Sequence, residues 1–271
     1  MLTIRDAQMH ALAAEREAEF AVRAVAHLKR WMPQHCAMLG DDALPAVVQH
    51  GWRKAKEHGL GAECTVLSYL DTMCVLGGHF DADPLLPAVR AILAEPEGVD
   101  PRVRGDRLYK AVWAHVDAVV PDYRDAQGQP RTEGLVRLLR AARGWSHETA
   151  ASDATLVALL APALAEHFPA KLALVGGAAV VPALVARARV RAVSHGLRQQ
   201  RSLAVMAVLL FVLGHGFDDD PLLPWVPPVL AANEPEEARI DQLLAQGAAQ
   251  LRRWWDLGAA RTDRASPGGE G

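Results

Sequence analysis

The sequence predicts an all-α fold in which two homologous helical units, the product of an internal duplication, pack together. One phrase occurs twice. Residues 76–87 read Leu-Gly-Gly-His-Phe-Asp-Ala-Asp-Pro-Leu-Leu-Pro, and residues 213–224 read Leu-Gly-His-Gly-Phe-Asp-Asp-Asp-Pro-Leu-Leu-Pro. A constant offset of 137 aligns them and also carries His58-Gly59-Leu60 onto His195-Gly196-Leu197 and Pro45 onto Pro182. Between 45–95 and 182–232, 20 of 51 paired positions are identical, far above chance for unrelated helical segments. Helix-forming Ala, Leu, Arg and Glu are abundant, and no run alternates with the period of two that a half-buried strand requires.

The elements follow in order. Ile4, Met9, Leu12, Phe20, Val22, Val25, Leu28 and Trp31 recur at helical spacing over 3–31, and Pro33 ends that helix. A second helix is expected over 42–58, with Gly59 as its left-handed C-terminal cap. A third covers 62–76, closed by Gly77-Gly78; a short fourth starts at Pro84, and a fifth runs from 101 to 120. The second unit repeats the order, with helices over 152–167, 178–195 and 199–213, a short one from Pro221, and a last over 236–257. The organisation is therefore a first unit over 1–120, a connector over 121–148, a second unit over 149–257, and a disordered tail over 258–271 rich in Ser, Pro, Gly and charge.

The two copies differ most in their third helix. In the first, Ser68, Asp71 and Thr72 leave polar faces, whereas Leu203–Leu213 is apolar all round. A helix without a polar face must be covered on every side, and the simplest expectation places it at the centre, packed by both units.

Composition narrows the function classes. The chain has 271 residues, 51% of them apolar and 23% charged, with a net charge of −3. That balance is typical of soluble globular proteins and lacks the basic excess of a nucleic-acid binder. Three cysteines, Cys36, Cys64 and Cys74, make neither a disulfide framework nor a zinc pattern and fit a reducing cytoplasm. The charged N-terminus is no signal peptide, and the apolar stretches 172–185 and 203–214 are shorter than the roughly 20 residues of a membrane span. A cytoplasmic location follows as the expectation, with no membrane and no nucleic acid among the partners.

The repeated Phe-Asp-x-Asp-Pro loop is the sharpest local signal. With His79 nearby, Asp81 and Asp83 could hold a metal or do chemistry, but the oxygen ligands and central glycine of a calcium loop are missing. The structural reading is stronger. Asp83 and Asp220, each before a proline, suit helix N-caps, while Asp81 and Asp218 would organise the turn through backbone hydrogen bonds. Phe80 and Phe217 would fold back as staples. His58-Gly59 and His195-Gly196 read as helix C-termini. The other histidines, among them His27, His35, His50, His115, His147 and His167, share no ligand spacing. Gly176-Gly177 lacks a phosphate-loop lysine, and no nucleophile or zinc motif is present. No catalytic residue, cofactor or metal site is thus assigned. Trp52, Trp225, Trp254 and Trp255 have no aromatic counterpart in the other unit, so the shared core does not require them; they are the candidate partner-binding residues.

The run from Trp52 to Leu93, with His58-Gly-Leu, Tyr69-Leu-Asp-Thr-Met and Phe80-Asp-Ala-Asp-Pro-Leu-Leu-Pro, resembles a family of small helical bacterial proteins associated with type VI secretion and polymorphic-toxin loci. The second unit keeps Phe217-Asp-Asp-Asp-Pro-Leu-Leu-Pro-Trp225 and has Met206-Ala207-Val208 in place of the Tyr-Leu-Asp signature. The resemblance implies a non-catalytic, cytoplasmic interaction protein whose partner is a secreted effector or toxin, held by a chaperone or adaptor or blocked by an immunity protein. It brings no catalytic residues. The rival expectations are a metal- or small-ligand-binding protein or enzyme using His79, Asp81 and Asp83, and a pocket between the units lined by helix 203–213. Sequence does not set the oligomeric state.

Overall fold

The computed structural model describes residues 6–96, 98–123, 137–138, 141–148 and 152–265. All regular elements among them are helical. In the first half these are α1 (Asp6–Trp31), α2 (Pro33–Leu39), α3 (Leu44–Glu57), α4 (Glu63–Leu76), α5 (Pro87–Leu93) and α6 (Pro101–Tyr123). In the second they are α7 (Asp153–His167), α8 (Pro169–Leu174), α9 (Val181–Ser194), α10 (Gln200–Leu213), α11 (Val226–Leu230) and α12 (Glu236–Ala265). Single-turn 3-10 helices lie at Phe80–Ala82, Ala142–Gly144 and Gly177–Val180.

The offset of the sequence repeat is also the offset of the helices. α3 and α9 have the same length and start 137 residues apart, as do α4 and α10. Several boundaries depart from expectation for local reasons. Pro33 and Pro169 do not simply stop helices; each stands at the first position of a further short helix, α2 and α8, where proline's missing N–H costs nothing. Pro84 and Pro221 do not start helices. The backbone first makes a turn, with Leu86 N–H on the Asp83 carbonyl and Leu223 N–H on the Asp220 carbonyl, and α5 and α11 begin at Pro87 and Val226. α12 continues to Ala265, beyond residue 257, while 266–271 and most of the connector lie outside the described residues.

Each half has its own core. Phe20, Leu44, Val47, Tyr69, Met73 and Phe80 are fully buried in the first, and Leu160, Leu184, Met206, Phe211 and Phe217 in the second. The halves then trade parts. Leu85 of the first half is buried in the second core, and its counterpart Leu222 packs against the first. The last helix of each half lies on the second helix of the other: α6 on α8, and α12 on α2. Reciprocal contact of this kind is the mark of an isologous arrangement.

The all-apolar helix is covered differently from expectation. Arg201 through Phe211 are buried without interruption, but α10 is covered by α7, α9, α12 and the Ala142–Gly144 turn, not by both halves. The first half meets it at a cavity and at its C-terminal end, where Gly77 approaches the Leu213 carbonyl. The connector supplies the missing cover: Leu138 and Ala142 are buried in the second core, and the Ala142 carbonyl accepts from Arg201 Nε at 2.9 Å.

Candidate functional site

The two Phe-Asp-x-Asp-Pro loops meet where the halves meet, and their four carboxylates divide into two jobs. Asp83 and Asp220 each accept from the N–H two residues ahead, Leu85 and Leu222, both at 2.8 Å. The expected N-cap role is not found: the helices that follow have Leu86 and Trp225 at their N-caps, and the two aspartates close a turn instead. Their second oxygens cross over: Asp220 accepts from Gly78 N–H at 2.7 Å, and Asp83 from His215 N–H at 3.1 Å. The approach is close enough to dictate residues. A Cβ on Gly78 would fall 2.3 Å from Asp220, and one on Gly77 or Gly214 would sit 3.0 Å from the carbonyl of Leu213 or Leu76, respectively.

Asp81 and Asp218 do not organise their own turns. Asp81 Oδ2 lies 3.0 Å from His58 Nε2 and 3.2 Å from Lys54 Nζ. Asp218 bonds His195 Nε2 at 2.8 Å and faces Arg191 Nε at 3.1 Å. His58 and His195 do terminate their helices, and their carbonyls accept from the buried Arg104 and Arg239. Each half thus ties its third helix to its loop by a cation, a histidine and an aspartate at matching positions. Burial alone would raise the Asp81 carboxyl, but the His58 hydrogen bond and the Lys54 charge bring it down to about 2. Asp218 is lowered in the same way by His195 and Arg191 against its own burial.

These partnerships separate His79, Asp81 and Asp83. Asp81 faces His58, Asp83 faces two backbone N–H groups, and His79 Nε2 lies 3.2 Å from Asp219 across the junction. Among the described residues no group of three or more His, Cys, Asp or Glu could hold a metal ion.

Beside the crossed loops lies a cavity of about 550 Å³, within the roughly 300–1,000 Å³ of small-molecule sites. Its walls come from both halves at equivalent positions: Val75 and Leu76 on α4 against Val212 and Leu213 on α10, closed by Val119 on α6 and Leu251 on α12. The lining is mostly apolar. Besides the loop carboxylates Asp83 and Asp220, its polar side chains include His35 on α2 and Lys171 on α8, each the third residue of its helix, and His115 on α6 and Gln250 on α12.

These positions differ chemically between the halves. Burial lowers His35 to about 4 against a backbone hydrogen bond at Cys74, and lowers His115 to about 4 with help from the Lys171 charge. Both imidazoles are neutral at pH 7. Lys171 is brought down to about 8 by burial, against the pull of Asp83 and Asp122. Those carboxylates are already occupied: Asp122 closes the start of α8 by accepting from Ala170 N–H at 3.0 Å and Lys171 N–H at 2.7 Å. The ammonium itself has a 3.5 Å approach to the Val212 carbonyl and the face of Phe211 at 5.2 Å. The Cys74 thiol is pushed to about 12 by burial and by Asp71, which leaves it without nucleophilic thiolate.

The tryptophans divide. Trp225 and Trp254 line the cavity, and Trp254 meets His35 edge-on at 4.4 Å. Trp52 lies inside the first half, against Phe20 at 4.3 Å and under the Lys56 ammonium. The Trp255 side chain falls outside the described residues. Sequence reasoning missed Lys171, His35 and His115 because α2 and α8 were not foreseen and their packing partners are far away in the chain. No helix among the described residues is long and apolar enough to cross a membrane. No family model matches the chain, and comparison with curated proteins and with solved structures finds no match.

Proposed function

We propose that the chain is a non-catalytic binding protein whose binding site is the cavity between its two halves. The observation that carries this reading is a largely apolar chamber of about 550 Å³ with a few polar groups and two tryptophans in its wall, the usual make-up of a small-ligand site. The candidate acid–base groups support it. The histidines that face the cavity are neutral and bonded or buried, and the loop carboxylates are engaged with histidines or backbone N–H groups. We also infer that the halves arose by duplication, with the chamber forming where the copies met.

The test is titration with dodecanol, an uncharged apolar probe, followed by tryptophan emission. Saturable blue-shifted emission with one probe per chain is expected, and Val119→Trp, which fills the chamber from α6, should abolish it. No change in emission or melting temperature at saturating probe would overturn the reading.

A second reading makes the chain a cytoplasmic accessory of a secreted effector or toxin, as chaperone, adaptor or immunity protein. It is supported by the motif resemblance and by apolar side chains left outside: Trp31, Val22, and the Tyr109–Trp113 pair on α6. Affinity capture from the native host, with Trp31→Ala and Trp113→Ala as controls, tests it. A stoichiometric effector lost in the variants would support it, and its absence while neighbouring genes are expressed would sink it.

A further inference from the structure

We propose that the cavity takes a single-chain amphipathic carboxylate, a medium-chain fatty acid in chemical class, with the carboxylate on the Lys171 ammonium and the alkyl chain between the Val75–Leu76 and Val212–Leu213 walls. The inference rests on the cavity being the binding site and adds the chemistry of its occupant.

The argument begins with an unmatched charge. Lys171 lines the cavity, yet among the described residues no carboxylate comes within the 4 Å of an ion pair; its contacts are one long approach to a carbonyl and one aromatic face. A partly buried cation without a bonded anion gives up hydration that nothing in the protein fully replaces. Asp83 and Asp122 exert a pull from further away, but all four of their oxygens accept backbone N–H groups, so neither can move to Nζ without orphaning a buried donor. The depressed Lys171 value has the same meaning: loss of hydration outweighs the attraction of both carboxylates. An incoming anion supplies what the protein leaves out.

The rest of the wall sets the ligand's other end. The lining holds one cation, Lys171, and two carboxylates, Asp83 and Asp220, whose oxygens are already taken by backbone N–H groups, so a phosphate or dicarboxylate would bring more negative charge than the site can match. On the far side are a neutral His35 and Gln250, with the rings of Trp225 and Trp254 beside them. One charged head and one apolar tail fit that division. The halves match in shape and differ in charge, so the two ends of the chamber are not equivalent and a ligand has one preferred direction.

The experiment compares dodecanoate, dodecanol and dodecyltrimethylammonium, each below its micelle concentration, on the full chain by calorimetry and tryptophan emission. One dodecanoate per chain is expected, bound roughly tenfold or more tighter than dodecanol, since a hydrogen bond to a charged group contributes about 1.5–3 kcal/mol. The cationic probe should be weakest. Lys171→Met and Lys171→Gln should erase the preference for carboxylate while leaving dodecanol binding intact, which also shows that the variants fold. The dodecanoate preference should fade as pH rises through about 8, where Lys171 loses its proton. The titratable groups facing Lys171 are Asp83, Asp122 and His115, and burial holds His115 down at about 4, far below the window of the effect. Equal binding of dodecanoate and dodecanol, both blocked by Val119→Trp, would overturn the carboxylate assignment and leave the cavity reading standing. Dodecanoate binding that ignores both Lys171 variants and Val119→Trp would place it elsewhere and overturn the inference. No binding by any probe would overturn both.

Discussion

α4 and α10 occupy equivalent positions in the two halves and solve the same packing problem in opposite ways. α4 keeps Cys64 exposed and Asp71 half-buried on its outer face, where Asp71 bonds His27 of α1 at 2.9 Å. α10 has valine at that position, and its outer face lies under the connector through Arg201 and Ala142. One helix carries its own polar surface; the other has none, and another segment of chain provides the cover. The pattern of a helix therefore reports what covers it, and a fully apolar helix need not lie at the centre of the molecule.

The comparison can be broken most forcefully at Val208, the counterpart of Asp71. Val208→Asp puts an unpaired carboxylate into a buried wall and should cost about 3–5 kcal/mol, read as a lowered midpoint in guanidinium denaturation. Next come the crossing aspartates. Asp83→Ala and Asp220→Ala each orphan one local and one cross-half N–H, for an expected loss of about 2–4 kcal/mol. Similar losses for the two would establish that the halves depend on each other equally; one near zero would break the reciprocity.

The titrating groups give an intermediate effect. His35 and His115 fold with values near 4 against 6.5 unfolded, so the unfolded chain binds more protons between those limits and stability should fall as pH drops from about 6.5 to 4. Asp81, lowered to about 2, adds a further loss below its unfolded value of 3.8. Melting temperatures across pH 2–8 check both windows: His35→Phe with His115→Phe should flatten the upper one, and His58→Ala should shrink the lower. The smallest change is Asp71→Val, which gives α4 the residue of α10. It removes a half-exposed pair and should shift stability by less than about 1 kcal/mol.

The long helices were legible because their apolar faces repeat, and the turn aspartates because Asp before Pro has few other uses. The cavity was not. α2 and α8 are seven and six residues long, too short for periodicity, and each starts at a proline that ends the preceding pattern. Their side chains gain meaning only from α12 and α6, which lie far along the chain. The His58–Asp81 pair was hidden as well, since capping explains the histidine and turn chemistry the aspartate, each separately. A signal was available: His and Asp, together with a cation at 54 or 191, recur at matching positions of the two halves while much around them differs. Residues that recur together in this way are candidates for contact.

The crossed last helices also set an order of events during synthesis. Gln34 donates to the Trp254 carbonyl and Arg253 to that of Ala37, across separations of 220 and 216 residues. α2 leaves the ribosome well before its partner surface on α12 is made. Until then α2 lies uncovered and Gly78 N–H waits for Asp220. A nascent first half can gather its own core but cannot close, and contacts so distant in sequence are formed late. The chamber itself comes into being only once α12 has been released.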